Sequence, residues 1–266
     1  MITDSLGQCF KPMVNVQRIV SLVPSTTETL CALGLESKVV GITRYCVHPP
    51  HLLSTKSTIG GTKQVNWKSL EHINPEIAIG NKEENTPAIF DGLKKRNIPY
   101  FVAFPQTLEE AKLDIYKLGE LFGVHQTANE ICQSITSQLS QLNPLKNTFT
   151  YAYLIWRKPW MAVNHNTFID SMLSQIGGIN ICSELAARYP TLSLEKLMSL
   201  NPDVIFLSSE PYAFNDTHVD ELKMAGFRQP IIHISGEYCS WHGVRIKEAL
   251  NYLQALKSTQ IMSTQS

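Results

Sequence analysis

A ten-residue unit is written twice in this chain, as NPEIAIGNKE from Asn74 and as NPDVIFLSSE from Asn201. Pro75 and Pro202, Glu76 and Asp203, and Glu83 and Glu210 share one spacing, so the register holds across the unit without a gap. A chain with such an internal copy is expected to fold as two similar lobes. Upstream, Ser69-Leu70-Glu71 and Ser193-Leu194-Glu195 offer serine N-caps for a short helix that the Asn-Pro pair ends. The apolar runs Ile77-Ala78-Ile79 and Val204-Ile205-Phe206-Leu207 then suit parallel strands covered on both faces. Ligands of open parallel sheets collect beyond the carboxyl ends of their strands, where this pattern places Glu83 and Glu210.

The rest of the chain alternates in the same way. Arg18 to Val23 reads as a strand, Ser25 and Glu28 as a capping box opening a helix that closes at Gly34, and Lys38 to Thr43 as the next strand. Asn85 to Arg96 reads as a helix, Pro99 to Val102 as a strand, and Thr107 with Glu110 as another helix start. From Gln126 to Leu142 the apolar residues Ile131, Ile135, Leu139 and Leu142 recur at helical spacing up to Asn143-Pro144, which gives one long amphipathic helix between the copies. Beyond it come a strand Tyr151 to Trp156, an extended piece at Trp160 to Val163 and a helix opened by Thr167 and Asp170 and closed by Gly177-Gly178. After the second unit follow a helix Asp216 to Met224, a strand Pro230 to Ile234 and a last helix Val244 to Leu256. The expected fold is α/β: an N-terminal lobe 1–123, a bridging helix 124–143 and a C-terminal lobe 144–266, each lobe with a mainly parallel central sheet.

Composition narrows the partners. Lys plus Arg (23) balances Asp plus Glu (23) with no basic cluster, so no surface for nucleic acid or anionic membrane is expected. No apolar run reaches the roughly 18 residues of a membrane span. MITDSLGQCFKPMV has neither a basic nor an apolar leader region, which predicts a cytoplasmic protein as written, or a periplasmic one if a leader was trimmed or is encoded elsewhere. Six cysteines without CxxC spacing read mostly as buried free thiols.

The residues together resemble a known family. The opening DSLGQCFKPMVNVQRIVSLVPSTTETLCALGL, the run VVGITRYCVHP, the two NP(E/D) strands and the C-terminal helix are similar to class III substrate-binding proteins, which deliver cobalamin, haem and iron-siderophore chelates to ABC importers. RYCVHPP, GGTK, NKEEN, IWRKPW, NTFIDSML, RYP, SSEPYAF and SWHGVR look like a leaderless subgroup similar to the cobalamin receptors. The resemblance implies two α/β lobes on a rigid helix, a metal chelate held in the cleft without covalent attachment, an importer permease as partner, and a monomer. It also implies that Asn81 stands where cobalamin receptors carry a tryptophan stacked on the corrin, and that Tyr238 is similar to a second aromatic there.

The candidate ligand contacts fall into three groups. Tyr45, Cys46 and His48 lie in the loop after the second strand, and His48, or Cys46 as thiolate, could ligate iron or cobalt. Glu83, Glu84 and Glu210 could bind cationic groups or a metal, or pair with Arg157 and Arg188 as scaffold. Trp156, Arg157, Trp160, Arg188, Tyr189, Tyr212, Phe214, Tyr238, Trp241 and His242 occupy loops and element ends; aromatics suit a flat macrocycle and arginines its acidic groups, with core packing the default for any one of them. Arg18 and Arg245 read as structural, and His72, His125, His218 and His233 show no ligand spacing.

The chain lacks a phosphate loop, GxSxG, HExxH and a GxGxxG after its first strand. A non-enzymatic binding protein for cobalamin, another corrinoid, haem or a ferric chelate is therefore expected. Two readings compete with it. Glu83 and Glu210 could serve a hydrolase as paired carboxylates, or the fold could serve an intracellular cofactor chaperone or sensor.

Overall fold

A computed structural model describes residues 1–142, 148–257 and 261. The chain divides into two compact units, one of Met1–Pro105, Glu109–Ile135 and His242–Arg245, the other of Gln106–Leu108, Thr136–Trp241 and Ile246–Ser266. Two short segments thus cross the expected lobe boundaries, and each has visible ties. Gln106 accepts from Arg188 Nη1 at 2.8 Å and Leu108 N–H donates to Ser171 Oγ at 3.0 Å, which fastens 106–108 to the C-terminal unit. His242–Arg245 is fastened to the N-terminal unit by contacts described below.

The N-terminal unit begins with an antiparallel pair, β1 (Ile2–Thr3) and β2 (Cys9–Phe10), which the sequence pattern does not announce. Its main elements are β3 (Ile19–Ser21), α1 (Pro24–Ala32), β4 (Val39–Ile42), α2 (Leu52–Thr55), β5 (Ser57–Thr58), α3 (Trp67–Ile73), β6 (Ile77–Asn81), α4 (Pro87–Lys95), β7 (Tyr100–Ala103) and α5 (Leu108–Phe122). The helix α6 (His125–Gln141) starts in this unit and ends in the other. The expected Asn143-Pro144 stop lies outside the described residues. The five strands pair in the order β5-β4-β3-β6-β7, all parallel. Val20, Leu22, Ile59, Leu70, Ala78, Leu93 and Val102 pack as one apolar cluster. Each large aliphatic side chain so buried contributes about 1.5–3 kcal/mol.

The C-terminal unit holds β8 (Phe149–Trp156), β9 (Trp160–Ala162), α7 (Phe168–Ser174), β10 (Gly178–Asn180), β11 (Thr191–Leu192), α8 (Leu194–Leu200), β12 (Val204–Ser208), α9 (Asp216–Met224), β13 (Ile231–Ile234), α10 (Gly236–Ser240) and α11 (Ile246–Leu256). Its sheet runs β11-β9-β8-β12-β13, with β10 also on β8. Here the central strands are parallel and β9 is antiparallel to both of its neighbours. Two α/β units with mainly parallel central sheets are what the repeat predicted.

The repeat is followed at one residue spacing through cap, helix, turn and strand. Helices α3 and α8 are in register, Asn74 and Asn201 both take the left-handed conformation (φ 50° and 45°), and the strands β6 and β12 are buried at all five positions. Asparagine tolerates that conformation better than most residues, which is why Asn-Pro stops both helices. Glu76 Oε2 accepts the backbone N–H groups of Gln17 and Arg18 ahead of β3, and Asp203 Oδ2 accepts Thr150 N–H near the start of β8. The acidic member of NP(E/D) therefore ties the entry of its strand to the neighbouring strand.

Two expected caps are corrected. Ser193 caps α8 as anticipated, but Ser69 lies inside α3, and its N–H is the group that Asn66 Oδ1 accepts. Asn66, not Ser69, matches Ser193 in register. Ser25 is likewise inside α1, whose first residue is Pro24 and whose cap position Val23 offers no side-chain acceptor. Proline at the first turn needs no N–H partner, so the helix starts without a capping box.

Candidate ligand-binding site

In the N-terminal unit the carboxyl end of β6 is organised by two asparagines. Asn81 Oδ1 accepts from Glu83 N–H at 2.8 Å and Glu84 N–H at 3.1 Å, turning the chain sharply as the strand ends. Buried Asn85 accepts Asn81 N–H and donates Nδ2 to the carbonyls of Leu22 and Thr62, which joins three loops at this end of the sheet. Asn85 is not among the candidate residues that the sequence pattern offers; its one signal there is a second asparagine four residues after the strand-end one. Glu83 is half-buried and its carbonyl accepts Lys63 Nζ at 2.8 Å, while exposed Glu84 stands 4.0 Å from the same ammonium.

His242 closes this end. The Oδ1 of Asn81 is taken by backbone N–H groups, so its Nδ2 faces His242 Nε2 at 3.1 Å and donates to it. The imidazole is thereby held neutral with its proton on Nδ1. Burial pushes it down to about 4, against a smaller opposing pull from Glu83. Next in the chain, Val244 N–H donates to Thr29 Oγ1, and Arg245 makes a two-pronged pair with Glu28 at 2.8 and 2.7 Å. Arg245 is structural, as its sequence position suggested; so is Arg18, whose guanidinium binds the carbonyls of Ile73 and Asn74.

The loop after β4 divides. Tyr45 is 52% exposed with Arg44 over its ring, and His48 is half-buried ahead of a cis Pro49. Cys46, expected among the contacts, is instead a core thiol. It is fully buried between the hydroxyls of Thr27 (3.1 Å) and Thr43 (3.2 Å), and burial raises its thiol above the usual range, so it is kept as a neutral SH. Among the described residues no group of three or more His, Cys, Asp or Glu is placed to hold a metal ion.

In the C-terminal unit β12 ends on Ser208, in register with Asn81, whose Oγ donates to the carbonyl of Glu210 at 2.6 Å. The half-buried carboxylate of Glu210 accepts Trp241 Nε1 at 2.9 Å and Ser240 Oγ at 3.2 Å. Gly236 makes this possible: a Cβ there would sit 2.3 Å from Glu210 Cγ. Beside it the ring of Trp156, 41% exposed at the end of β8, meets Tyr212 edge-on at 5.5 Å. Tyr212 packs on Phe214 at 4.8 Å and bonds His218 Nε2 through its hydroxyl at 2.9 Å. Phe214 in turn stacks on buried Trp160. Half-buried Tyr238 stacks on Tyr252.

Both arginines are engaged within the C-terminal unit. Arg157 lies over Trp160 and makes a two-pronged pair with Glu221, each charge holding the other ionised. Arg188 binds Gln106 and the carbonyl of Asn166, with Tyr189 beneath its guanidinium. Asn164 N–H donates to the Arg188 carbonyl beyond the Ala162 end of β9, so Arg188 and Trp156 stand at opposite ends of the β8–β9 ladder. His233 bonds Asp216, and His218 serves the N-cap of α9 as well as Tyr212. The six cysteines are all free, and four are buried.

A family model described as "Periplasmic binding protein" matches residues 19–225. The chain belongs to the periplasmic binding protein family. Among its relatives, a vitamin B12-binding protein of Vibrio cholerae serotype O1 is 26% identical over 205 residues, 74% of this chain and 72% of that one. One of Yersinia pseudotuberculosis is 25% identical over 204 residues, 74% and 71% of the two chains. Among solved structures, the periplasmic haem-binding protein RhuT from Roseiflexus sp. RS-1 superposes with a TM-score of 0.78 at 22% identity, covering 91% of this chain and 97% of that one. The vitamin B12-binding protein BtuF of Vibrio cholerae gives 0.72 at 22%, covering 92% and 98%. The family is one of substrate-binding proteins, and the paired-glutamate hydrolase reading gives way to it. Among the described residues no helix is long and apolar enough to cross a membrane.

Proposed function

We propose that this protein binds a metal-containing tetrapyrrole, a corrinoid before haem, and presents it to a membrane importer as a periplasmic receptor does. The observation that carries the reading is the aromatic pair Trp156 and Tyr212 beyond β8 and β12, one exposed and one half-buried, with buried Phe214 packed behind Tyr212. Rings held by neighbours lose little freedom on binding and suit a flat macrocycle. The names of the relatives supply the ligand class: vitamin B12 for the curated proteins, and vitamin B12 or haem for the similar structures. Trp241, Tyr238 and Glu210 are proposed contacts in the C-terminal unit, and Tyr45, His48, Glu83, Glu84 and His242 in the N-terminal unit. Arg157 is assigned to the scaffold and Cys46 to the core, for the reasons of pairing and burial given above. On this reading metal reaches the protein inside its chelate.

The test is titration of the purified protein with cobinamide, cobalamin and haem, followed by visible absorbance and thermal melting. Ligand at about 100 times Kd adds about 2.7 kcal/mol of stability, a shift readily seen. Trp156→Ala is expected to weaken binding tenfold or more while the ligand-free melt stays close to wild type. No spectral or thermal response to any of the three ligands would overturn the proposal.

A further inference from the structure

His218, half-buried on the first turn of α9, spends each of its ring nitrogens on a different task. Nδ1 lies 3.1 Å from the backbone N–H of Asn215, the N-cap residue, and Nε2 lies 2.9 Å from Tyr212 Oη. The rings of Tyr212 and Phe214 meet the imidazole edge-on at 5.3 and 5.2 Å, which fixes its plane. Glu221, one turn farther along α9, is engaged by Arg157, so the two bonds of His218 account for both of its nitrogens.

A backbone N–H can only donate, so Nδ1 accepts and carries no proton. The neutral ring then has its proton on Nε2 and donates it to Tyr212 Oη. That direction decides what the tyrosine can do. Its own hydrogen cannot point at the Nε2–H, and among the described residues Oη has no other hydrogen-bond partner. The hydroxyl hydrogen is therefore turned away from His218, on a ring that packs against exposed Trp156.

We propose that His218 is a positioning residue that sets Tyr212 as a hydrogen-bond donor to the ligand, so that the site selects a flat ligand with an acceptor oxygen, of a carboxamide or a carboxylate, on its rim. The proposal rests on the reading of Trp156 and Tyr212 as ligand contacts. A phenol hydroxyl without the imidazole is both donor and acceptor and discriminates little. With its oxygen already engaged, it has only a hydrogen to offer, and a ligand with no acceptor there leaves that donor unpaired.

Three substitutions separate positioning from support. Tyr212→Phe keeps the ring and removes the donor, and should weaken binding of cobinamide, whose rim carries carboxamides, about three- to tenfold. His218→Glu keeps an acceptor for the Asn215 N–H, as glutamate does at this position of a capping box, but presents Tyr212 with an acceptor in place of a donor. The hydroxyl then turns to the carboxylate, and binding should fall as far as in Tyr212→Phe. His218→Gln, whose carboxamide both accepts and donates, should return binding to within about twofold of wild type. In the Tyr212→Phe background His218→Glu should cost less than about twofold more, since the hydroxyl it reverses is gone. Haem titrated in parallel tells the two acceptors apart: a loss with cobinamide assigns a carboxamide, a loss with haem a carboxylate. Unchanged binding of both ligands by Tyr212→Phe would overturn the proposal. So would a His218→Glu loss that is as large without the Tyr212 hydroxyl as with it, or a His218→Gln loss equal to that of His218→Glu. The ligand-free wild type gives an independent test: nitrogen NMR of the imidazole at about pH 8 should show the proton on Nε2, and a proton on Nδ1 would overturn the assigned direction. If wild type binds neither ligand, the reading of the site fails and the ligand's part in this proposal fails with it, whereas the NMR result stands.

Discussion

The two copies of the repeat share a backbone and differ at the strand tip. In the N-terminal copy the tip residue is Asn81, whose amide both accepts two backbone N–H groups and donates to His242. In the C-terminal copy it is Ser208, whose single hydroxyl is shared between the Glu210 carbonyl and Tyr153. The glutamate two residues on meets different surroundings as a result. Glu210 is fixed by Trp241 and Ser240 through its carboxylate, whereas the backbone around Glu83 is fixed by Asn81 and Lys63. Duplication conserves what the sheet needs and leaves the tip open to chemical variation.

The largest break in this comparison is expected inside the strands. Phe206 and Ile79 occupy the same register and are both fully buried. Phe206→Ala should cost about 3–5 kcal/mol and Ile79→Ala about 2–5. Urea denaturation with a probe in each unit would show whether each loss stays in its own unit. A smaller and less symmetric effect is expected at the tips. Asn81→Ala strands two N–H groups and the partner of a half-buried imidazole, at about 2–3 kcal/mol, while Ser208→Ala removes one hydroxyl at about 1 kcal/mol. Equal losses in thermal melts would contradict the assigned difference. The smallest effects belong to the caps: Asn66→Ala and Ser193→Ala should each cost about 1 kcal/mol, and nearly the same amount, because they fill one role in register. Ser69→Ala, by contrast, should leave stability within about 0.5 kcal/mol of wild type.

Most of the fold was legible because burial writes itself into periodicity. The apolar runs after Pro75 and Pro202, and the spacing from Ile131 to Leu142, located strands and a helix to within a residue or two. The two-residue strands β1, β2, β5 and β11 were not legible, since so short a ladder carries no period. The caps show a subtler failure. Ser69 and Asn66 are both plausible N-caps by residue type, and only the helix start tells them apart. Much of the candidate site resisted reading for a related reason. Cys46 and Tyr45 are adjacent in one loop, yet one is a core thiol and the other half exposed; Arg157 and Trp156 are adjacent, yet one is held in an ion pair and the other borders open surface.

By itself the sequence determined that there are two α/β units, where their parallel strands run, and where each strand ends, because hydrophobic pattern and Asn-Pro turns are local properties of the chain. Only the tertiary structure decided which polar side chains brace the fold. The division of short segments between the units was decided there as well. Partners such as Glu221 for Arg157, Asn81 for His242 and Glu28 for Arg245 lie 64, 161 and 217 residues away. Hydrogen bonds and ion pairs over such separations have no signature in local spacing; they exist only once packing has brought the groups together.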